Sequence, residues 1–584
     1  MKKYTFKEKI SYKFDEKMAK GTGSRMMMLG VSVLAIVLLI AIIITAGGMN
    51  NGENFIAVFW DSLTTTINAW MPASEDGGVG YVLLMAVAAI VGVVFTSFLI
   101  GIFSTAIEEK LTSLRKGHSR VLETGHTIIL GFEIGEFELI KQLISAAGDK
   151  NEIIVVGGSE DKDLIEDAIA ENVKCPKNIK IICRHVEPGD VPGVACCSPE
   201  SAKRIVVAGK DEGVTIRQIL ATVSILREKK AKVPIITAVT SNECILPDDF
   251  CQRNNVIMIQ TADLMARLIA HSCCEPGLAE VFCDVFDFDN NVLTFISANN
   301  LGGLTFGNVF ARIDRASLIG VAKGENTFLN PPHNMIIDDS DFLICFTNDA
   351  SAISFVRSEP EEKYDNITGH ITNDPAGKVL IIGKNDMLDL VCNELPKDAE
   401  ITKTSEIEGF NLENAAFAED LSSYNHIIVL DNEEGNDVDK IVTLFKLRAL
   451  RLKLNLHYNI TVEMHNDFDL TIVRGHDNTD FIITSNITSM ILAQIAVNPV
   501  IYATYSELLS NDGTDLFMIP MKDLGFGKSE ETYYSLRMAA FSQNVIMLGV
   551  LKDGEAILNL KNDDRVQLDG SEMAILLGES SIID

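Results

Sequence analysis

The chain has 584 residues, of which 47% are hydrophobic and 22% are charged, and its formal net charge is −31. This length exceeds one ordinary domain, and the acidic balance disfavours binding to a nucleic acid backbone. All 11 cysteines lie between Cys175 and Cys392 without a C-x-x-C pair, so neither a zinc site nor a disulfide framework is indicated. We therefore expect several domains and no nucleic acid partner.

Two uncharged segments near the N-terminus, residues 26–47 and 81–105, are long enough to cross a lipid bilayer as helices. The preceding segment, residues 1–25, carries eight Lys or Arg side chains, whereas the loop at 48–80 carries none. Because basic segments stay on the cytoplasmic side, both chain ends and the large soluble part are predicted to be cytoplasmic.

The loop between the spans is suited to a short re-entrant helix, and the family resemblance of the junction described below implies that an ion pathway follows it. No basic residue lies in the loop, so three of its carboxylates, Asp61, Glu75 and Asp76, are predicted to attract cations to an outer mouth. Hydroxyl and carbonyl groups of the next stretch are suited to replace the hydration water of an ion. That predicted pathway consists of Thr64, Thr65, Thr66, Ile67, Asn68 and Ala69. An ordinary acidic external loop is the alternative.

Within the second span, Gly92 and Gly101 are candidates for gating hinges, and close helix packing is the alternative role. Residues 106–125 are predicted to be a linker that joins this span to the soluble part. Movement of the soluble part would then pull on the end of the inner helix.

The soluble part is predicted to be an internal duplication, with one half at 126–358, a linker at 359–377 and a second half at 378–584. Strand-like His126–Gly131 corresponds to Lys378–Gly383. Later strand-plus-helix segments correspond in the same order, Val256 to about Phe282 with Asp480 to about Leu509. Each half is expected to contain a doubly wound parallel α/β sheet of the Rossmann type followed by a smaller α+β lobe.

The first half does not carry an intact dinucleotide fingerprint. The pattern G-x-G-x-x-G would need glycine at positions 131, 133 and 136, but the sequence has Gly131, Glu133 and Glu136, with Gly135 out of register. The turn at Gly131 and Gly135 is therefore either a nucleotide site or a tight turn that tolerates no side chain. Since neither an intact fingerprint nor a catalytic acid or nucleophile is visible, we expect a protein that is not an enzyme.

One acidic cluster of the first half, Asp284, Asp287 and Asp289, offers the oxygen ligands that Ca²⁺ takes, although EF-hand spacing is absent. Solvated turns are the alternative explanation. The candidate regulators are thus a divalent cation such as Ca²⁺ and a nucleotide.

The junction between membrane and soluble parts carries a family resemblance. Segments Leu99–Phe103, Leu114–Glu123 and Gly125–Gly131 resemble the pore-to-sensor junction of the CASTOR/POLLUX family, plant nuclear-envelope cation channels and their bacterial relatives. This resemblance implies tandem RCK domains, which regulate potassium conductance, arranged as a ring below a tetrameric pore. Two helices per chain cannot enclose an aqueous pathway alone, which also favours an oligomer.

The resulting hypothesis is a homotetrameric, ligand-gated cation channel of a bacterial inner membrane. Its partners are the lipid bilayer, permeant cations and further copies of the same chain. Two alternatives stay open at this point: a regulatory membrane subunit of a cation transporter and a membrane-anchored NAD(P)-binding oxidoreductase.

Overall fold

The computed structural model divides the chain into two compact units, Met1–Gly117 and His118–Asp584. The residues that it describes are 22–49, 52–68, 78–115, 117, 119–209, 211–241, 244–289, 292–324, 326–355, 377–404, 421–432, 437–465, 473, 479–502, 504–505, 514–527, 529–552 and 555–579.

The described residues of the first unit form three helices, α1 (Thr22–Ala46), α2 (Phe55–Asn68) and α3 (Val79–Arg115). Within α1 and α3, the stretches Met26–Ala46 and Val79–Glu108 are long and apolar enough to cross a membrane. Helix α3 continues through the first ten residues of the predicted linker at 106–125. The sequence after the span has no Gly or Pro before Gly117, whose φ of 69° suits a helix end.

The second unit begins with a six-stranded sheet in which every neighbouring pair is parallel. The strand order is β3-β2-β1-β4-β5-β6, which is the doubly wound arrangement predicted for the first half. The strands are β1 (Thr127–Phe132), β2 (Glu152–Gly158), β3 (Ile179–His185), β4 (Arg204–Val207), β5 (Ile235–Val239) and β6 (Val256–Gln260). The helices between them are α4 (Glu138–Ala147), α5 (Lys162–Asn172), α6 (Val191–Cys196), α7 (Glu212–Lys229) and α8 (Asp248–Asn254).

Two helices, α9 (Ala262–Cys274) and α10 (Leu278–Phe286), lead from this sheet to a smaller lobe. The lobe is an antiparallel sheet in the order β10-β9-β11-β7, with a separate two-stranded pair, β12-β8. Its elements are β7 (Val292–Ser297), α11 (Phe306–Arg312), β8 (Ile313–Asp314), β9 (Ser317–Lys323), β10 (Asn326–Leu329), β11 (Phe342–Thr347) and β12 (Ser354–Phe355).

The second half repeats this plan, as the sequence predicted. Its parallel sheet has the order β14-β13-β15-β16-β17, and its antiparallel sheet has the order β18-β23-β20-β21. The first sheet is formed by β13 (Lys378–Lys384), β14 (Glu400–Thr404), β15 (His426–Asn432), β16 (Asn459–Met464) and β17 (Thr479–Ile483), with α12 (Leu388–Glu394), α13 (Asp437–Leu454) and α14 (Thr484–Val497). The lobe contains β18 (Thr514–Pro520), β19 (Glu530–Thr532), α15 (Tyr533–Ser542), β20 (Ile546–Lys552), β21 (Glu555–Leu558), β22 (Arg565–Gln567) and β23 (Met573–Glu579).

The helices that follow the two parallel sheets are shorter than the sequence suggested. The helix expected to continue to about Phe282 is interrupted after Cys274, because Pro276 cannot donate a helical hydrogen bond and Gly277 has a φ of 94°. The helix expected to reach about Leu509 ends at Val497, before Pro499.

Helices α9 and α14 each pack against the opposite half. Helix α9 of the first half packs against α12 and the parallel sheet of the second half, while α14 of the second half packs against α4 and β5 of the first. One continuous hydrophobic core consequently contains residues of both halves, for example Ile129 and Leu268 together with Ile428 and Ile491. The second unit is therefore built from two interlocked halves.

Candidate functional site

In the membrane unit, α2 lies against both long helices. Its contact with α3 is very close at Gly92, where a Cβ atom would lie 1.8 Å from the carbonyl oxygen of Thr66. At Gly101, by contrast, a Cβ atom would meet no heavy atom within 4 Å. Gly92 is thus closely packed against α2, and gating hinges at Gly92 and Gly101 stay predictions.

The predicted ion pathway begins inside α2 and not after it, because residues 64–68 belong to the helix. The hydroxyl of Thr64 donates to the carbonyl of Asp61 at 3.0 Å, and that of Thr66 donates to the carbonyl of Ser62 at 2.8 Å. Thr65 and Thr66 are buried, whereas Ile67 and Asn68 are exposed. Ala69, Glu75 and Asp76 lie outside the described residues. The pathway and the outer mouth remain predictions.

Backbone geometry explains why a glycine lies next to the end of the first strand in each half. Gly131 and Gly383 have φ angles of 78° and 114°, and each coincides with a break in strand register. A Cβ atom would lie 2.9 Å from the carbonyl oxygen of Ala208 in the first half and 2.4 Å from that of Leu430 in the second. Glycine is thus required by close approach to the neighbouring strand, and nucleotide binding at Gly131 and Gly135 stays a prediction.

The acidic cluster near the end of α10 is engaged with the protein. Asp287 Oδ1 accepts hydrogen bonds from Gln142 Nε2 and from the amide of Asp289, both at 3.0 Å. Across the described part of the chain, no group of three or more His, Cys, Asp or Glu is placed to hold a metal ion. Asp284, Asp287 and Asp289 as Ca²⁺ ligands stay a prediction.

A cavity of about 770 Å³ lies between the two halves of the second unit. Its walls come from the carboxyl ends of parallel strands in both sheets, where ligands of doubly wound folds bind. Both halves therefore contribute to one candidate ligand site. The polar lining consists of Glu136, Glu212, Thr240, Thr261, Asn385, Asp386, Asp431, Glu463, His465, Thr484, Ser485, Thr488 and Ser489.

On the second-half side, the cavity wall is backed by a network of buried charges. Lys440 Nζ lies 3.2 Å from Asp431 and 2.8 Å from Asp437, and Asp431 also hydrogen-bonds the imidazole of His465. The amide of His465 donates to Asp437 at 3.2 Å. Glu463 completes the network by accepting from the amide of Asp431 at 3.0 Å. These contacts fix the imidazole at the cavity surface.

The network perturbs the protonation of its members. The hydrogen bond to Asp431 raises the pKa of His465 above its ordinary value. Burial would raise the pKa of Asp431, but the hydrogen bond from His465 and the charge of Lys440 hold it below its usual range. Burial raises the pKa of Glu463. The hydrogen bond thus favours a protonated imidazole on His465 and an ionised carboxylate on Asp431.

Carboxylates of the chain already occupy backbone amides at this edge of each sheet. Glu212 accepts from the amides of Thr240 and Ser241, both at 2.6 Å. In the second half, Glu463 accepts from the amide of Asp431 and from Asn385 Nδ2, at 3.0 and 2.9 Å. Backbone amides at such an edge can bind anions, and these particular amides already bind carboxylates of the chain.

Sequence reasoning did not single out Glu212, Asp431, Glu463 or His465. The available signal was weak: Glu463 is the one charged residue of its strand, and His465 follows directly after that strand. Asp431, Glu463 and His465 meet at neighbouring strand ends of the second half. Glu212 joins them only through the packing of both halves, which spacing along the chain does not reveal.

Comparison with known proteins gives three findings. Residues 262–363 match a family profile described as Castor and Pollux, part of voltage-gated ion channel. The probable ion channel SYM8 of Pisum sativum is 22% identical over 88% of this chain, and the probable ion channel POLLUX of Oryza sativa subsp. japonica is 21% identical over 92%. The chain spans 66% and 64% of the length of these two relatives.

Among solved structures, the human SLO3 gating ring is similar to 78% of this chain and to 99% of its own chain, with a TM-score of 0.51 and 13% identity. This likeness concerns the fold, and it agrees with the tandem arrangement predicted for the two halves. The relatives named above are plant proteins, so they do not support the expected bacterial origin. The chain is thus similar in sequence to CASTOR/POLLUX ion channels, in residues 262–363 by the family profile and over most of its length by the relatives.

Proposed function

We propose that the chain is the subunit of an oligomeric cation channel whose paired α/β halves act on the second spanning helix when a ligand enters the cavity between them. The observation that carries this proposal is the continuity of α3 from Val79 to Arg115. The second unit begins at His118, so only two residues separate the helix from that unit. A change in the halves therefore has a short covalent route to the membrane.

The membrane unit supports conduction by an oligomer. Helix α2 is a short helix between two longer apolar ones, and it buries the hydroxyl residues Ser62, Thr65 and Thr66. The loop that follows is acidic and has no basic residue, which favours cations. Because two spanning helices cannot enclose water, several copies must contribute to a pore, and we propose four.

The soluble unit offers a surface for contact between copies. On α13, Val442, Phe445 and Leu452 have relative exposures of 44%, 48% and 83% and are spaced by three and seven residues. That spacing places them on one face of the helix. An exposed apolar face of this kind is typical of protein–protein contact, and we assign it to a second copy of this chain.

The lining of the cavity favours a cationic ligand over a phosphate-bearing one. Carboxylates and hydroxyls line it, and no Lys or Arg is among the described residues of its wall. A divalent cation with its hydration water fits this lining, since hydrated ions bind through few direct carboxylate ligands. The phosphates of a nucleotide would instead meet negative charge on Glu212 and Glu463, which already bind backbone amides at this edge.

The orientation follows from the basic residues of the N-terminal segment. Both chain ends and the second unit then lie in the cytoplasm, and the chain is a channel and not an enzyme. The cell membrane is the location that we propose for the channel, with the basic N-terminal segment on its inner side.

The test is planar-bilayer recording of the purified full chain with K⁺, Na⁺ and Ca²⁺ gradients. We expect currents whose reversal potentials follow the cation gradients and whose open probability changes when Ca²⁺ or Mg²⁺ is added on the side of the second unit. Absence of current with either ion and with ATP or NAD⁺ would contradict a channel and favour a regulatory subunit of a transporter.

A pair of matched variants locates the ligand. Ser489→Trp places an indole in the cavity wall, whereas Ser297→Trp changes an exposed position on β7. We expect Ser489→Trp to abolish the response to divalent cations while unliganded currents persist, and Ser297→Trp to behave as wild type. Equal responses in the two variants would place the ligand elsewhere.

A further inference from the structure

The turn between α9 and α10, residues Glu275–Gly277, is attached to the second half by two carboxyl groups. Glu275 of the turn accepts a hydrogen bond from the amide of Met518 in β18, at 2.6 Å. In the opposite direction, both carboxyl oxygens of Asp480 in β17 accept from the amide of Gly277, at 3.0 and 2.8 Å. Each half therefore supplies one carboxyl group and one backbone amide to the contact.

These two carboxyl groups have little compensation by positive charge. The cation of the region, Arg267, lies 3.3 Å from Glu394 and 3.6 Å from Asp515, so it is shared between two other carboxylates. Negative charge on Asp515 acts on Glu275, and negative charge on Glu280 acts on Asp480. The titratable groups around the pair are Arg267, His271, Cys273 and Cys274 on α9, Glu280 on α10, Glu394 on α12, His426 on β15 and Asp515 on β18.

The pair titrates near neutral pH. Burial, with a contribution from Asp515, raises the pKa of Glu275 from 4.5 to about 8, and burial with Glu280 raises that of Asp480 from 3.8 to about 7. Burial lowers the pKa of His271 to about 4 and that of His426 below its ordinary value, so both imidazoles stay neutral there. Burial raises the pKa of the Cys273 thiol well above its ordinary value.

We propose that Glu275 and Asp480 form a proton-dependent contact between the halves, which holds the α9–α10 turn on the second half when both carboxyls are protonated and releases it when they ionise. A protonated carboxyl still accepts a hydrogen bond from an amide, whereas two ionised carboxylates would place negative charge, without a facing cation among the described residues, in a partly buried contact.

The direction of the pH effect follows from linkage. Burial raises the pKa of both carboxyls by more than the amide hydrogen bonds of the contact lower it. A carboxyl whose pKa is raised by burial in the closed state binds its proton more tightly there, so protonation favours closure. The stabilisation is complete below the ordinary carboxyl pKa and is lost as the pH rises through about 7 for Asp480 and about 8 for Glu275. The contact therefore weakens with alkalinisation around neutral pH.

The turn is connected to the candidate ligand site through one helix. Met265, on the first turn of α9, lines the cavity, and Glu275 directly follows the last residue of that helix. Release of the turn would free the end of α9 opposite the cavity. Only the consequence for gating rests on the proposed function, because the contact itself lies within the second unit.

Hydrogen–deuterium exchange of the purified full chain tests the contact without measuring conduction. Protection of the peptides that contain Gly277 and Met518, corrected for the intrinsic rate, is followed from pH 6 to pH 9. Below the raised pKa, each unit of pH changes the equilibrium by up to tenfold per carboxyl, so we expect protection to fall by about tenfold or more between pH 6.5 and 8.5. Protection that does not change with pH would overturn the proposal.

Three variants complete the test. In Glu275→Gln with Asp480→Asn, neutral acceptors replace both carboxyls, and we expect the pH dependence to disappear. Glu280→Gln removes a charge that raises the pKa of Asp480, so loss of protection should begin at lower pH. If the double variant does not fold, the pH profile of Glu280→Gln tests the proposal instead. Glu171→Gln, at an exposed position on α5, should resemble wild type. A wild-type pH profile in the double variant, or an unshifted one in Glu280→Gln, would overturn the proposal.

Discussion

Replacement of Gly92 by alanine is expected to separate α2 from α3. The new methyl carbon would lie 1.8 Å from the carbonyl oxygen of Thr66, and ordinary contact begins at 3.4 Å, so the two groups must move apart by about 1.6 Å. Overpacking of this kind costs about 1–3 kcal/mol. The carbonyl that would be displaced belongs to the predicted ion pathway, so conduction should fall together with stability.

Gly101→Ala is the matched control on the same helix, because no heavy atom lies within 4 Å of its Cβ position. Alanine raises helix propensity at both sites by about 1 kcal/mol, so the difference between the variants isolates the contact with Thr66. We expect a lower thermal midpoint in detergent and smaller bilayer currents for Gly92→Ala than for Gly101→Ala. Equal midpoints and equal currents would refute the close packing described here.

Three further predictions concern the second unit. Gly383→Ala places a side chain at a φ of 114° and 2.4 Å from the carbonyl oxygen of Leu430. Urea unfolding of the full chain in detergent should therefore show a free energy of unfolding that is lower by about 1–3 kcal/mol. The control Gly324→Ala has open space around it and should lower the free energy of unfolding by less. Arg537→Leu removes the buried donors to Phe310 and Ile313, at 2.6 and 3.0 Å, and leaving these carbonyls unpaired should cost about 2–4 kcal/mol in the same assay; a loss below about 0.5 kcal/mol would contradict this role. Asp431→Asn should lower the pKa of His465 in an NMR titration, and an unchanged pKa would contradict the pairing. In the wild type the pair stabilises the fold below the ordinary histidine pKa, and this contribution is lost as the pH rises through the raised pKa of His465.

The sheets could be predicted from the sequence because their strands are short runs of β-branched and aliphatic residues between turns. Ile153–Val156 and Ile235–Val239 are of this kind, and both lie in the observed parallel sheet. The duplication was predicted from other matched segments, such as His126–Gly131 with Lys378–Gly383. The observed sheet orders confirm it, since the four-stranded antiparallel sheets of the two lobes have corresponding strand orders.

The candidate ligand site could not be predicted in the same way. Its two walls are more than 200 residues apart in sequence at positions such as Glu212 and His465, and they meet because α9 and α14 cross to the opposite halves. The C-terminal end of α2 was predicted too early for a different reason. Threonine has only modest helix propensity, so the three threonines at 64–66 predict the end of the helix, although it continues to Asn68.

The exchange of helices between the halves also has a consequence for synthesis of the chain. Helix α9 is complete at Cys274, but β16, on which it packs, ends at Met464, about 190 residues later. At about 5–20 residues per second, the ribosome needs roughly 10–40 s to produce that length. During this interval the buried face of α9, including Leu268 and Ile269, has no second half to cover it. The first half therefore completes its fold only when the second half has emerged, and a chaperone that binds apolar helices has that time in which to act.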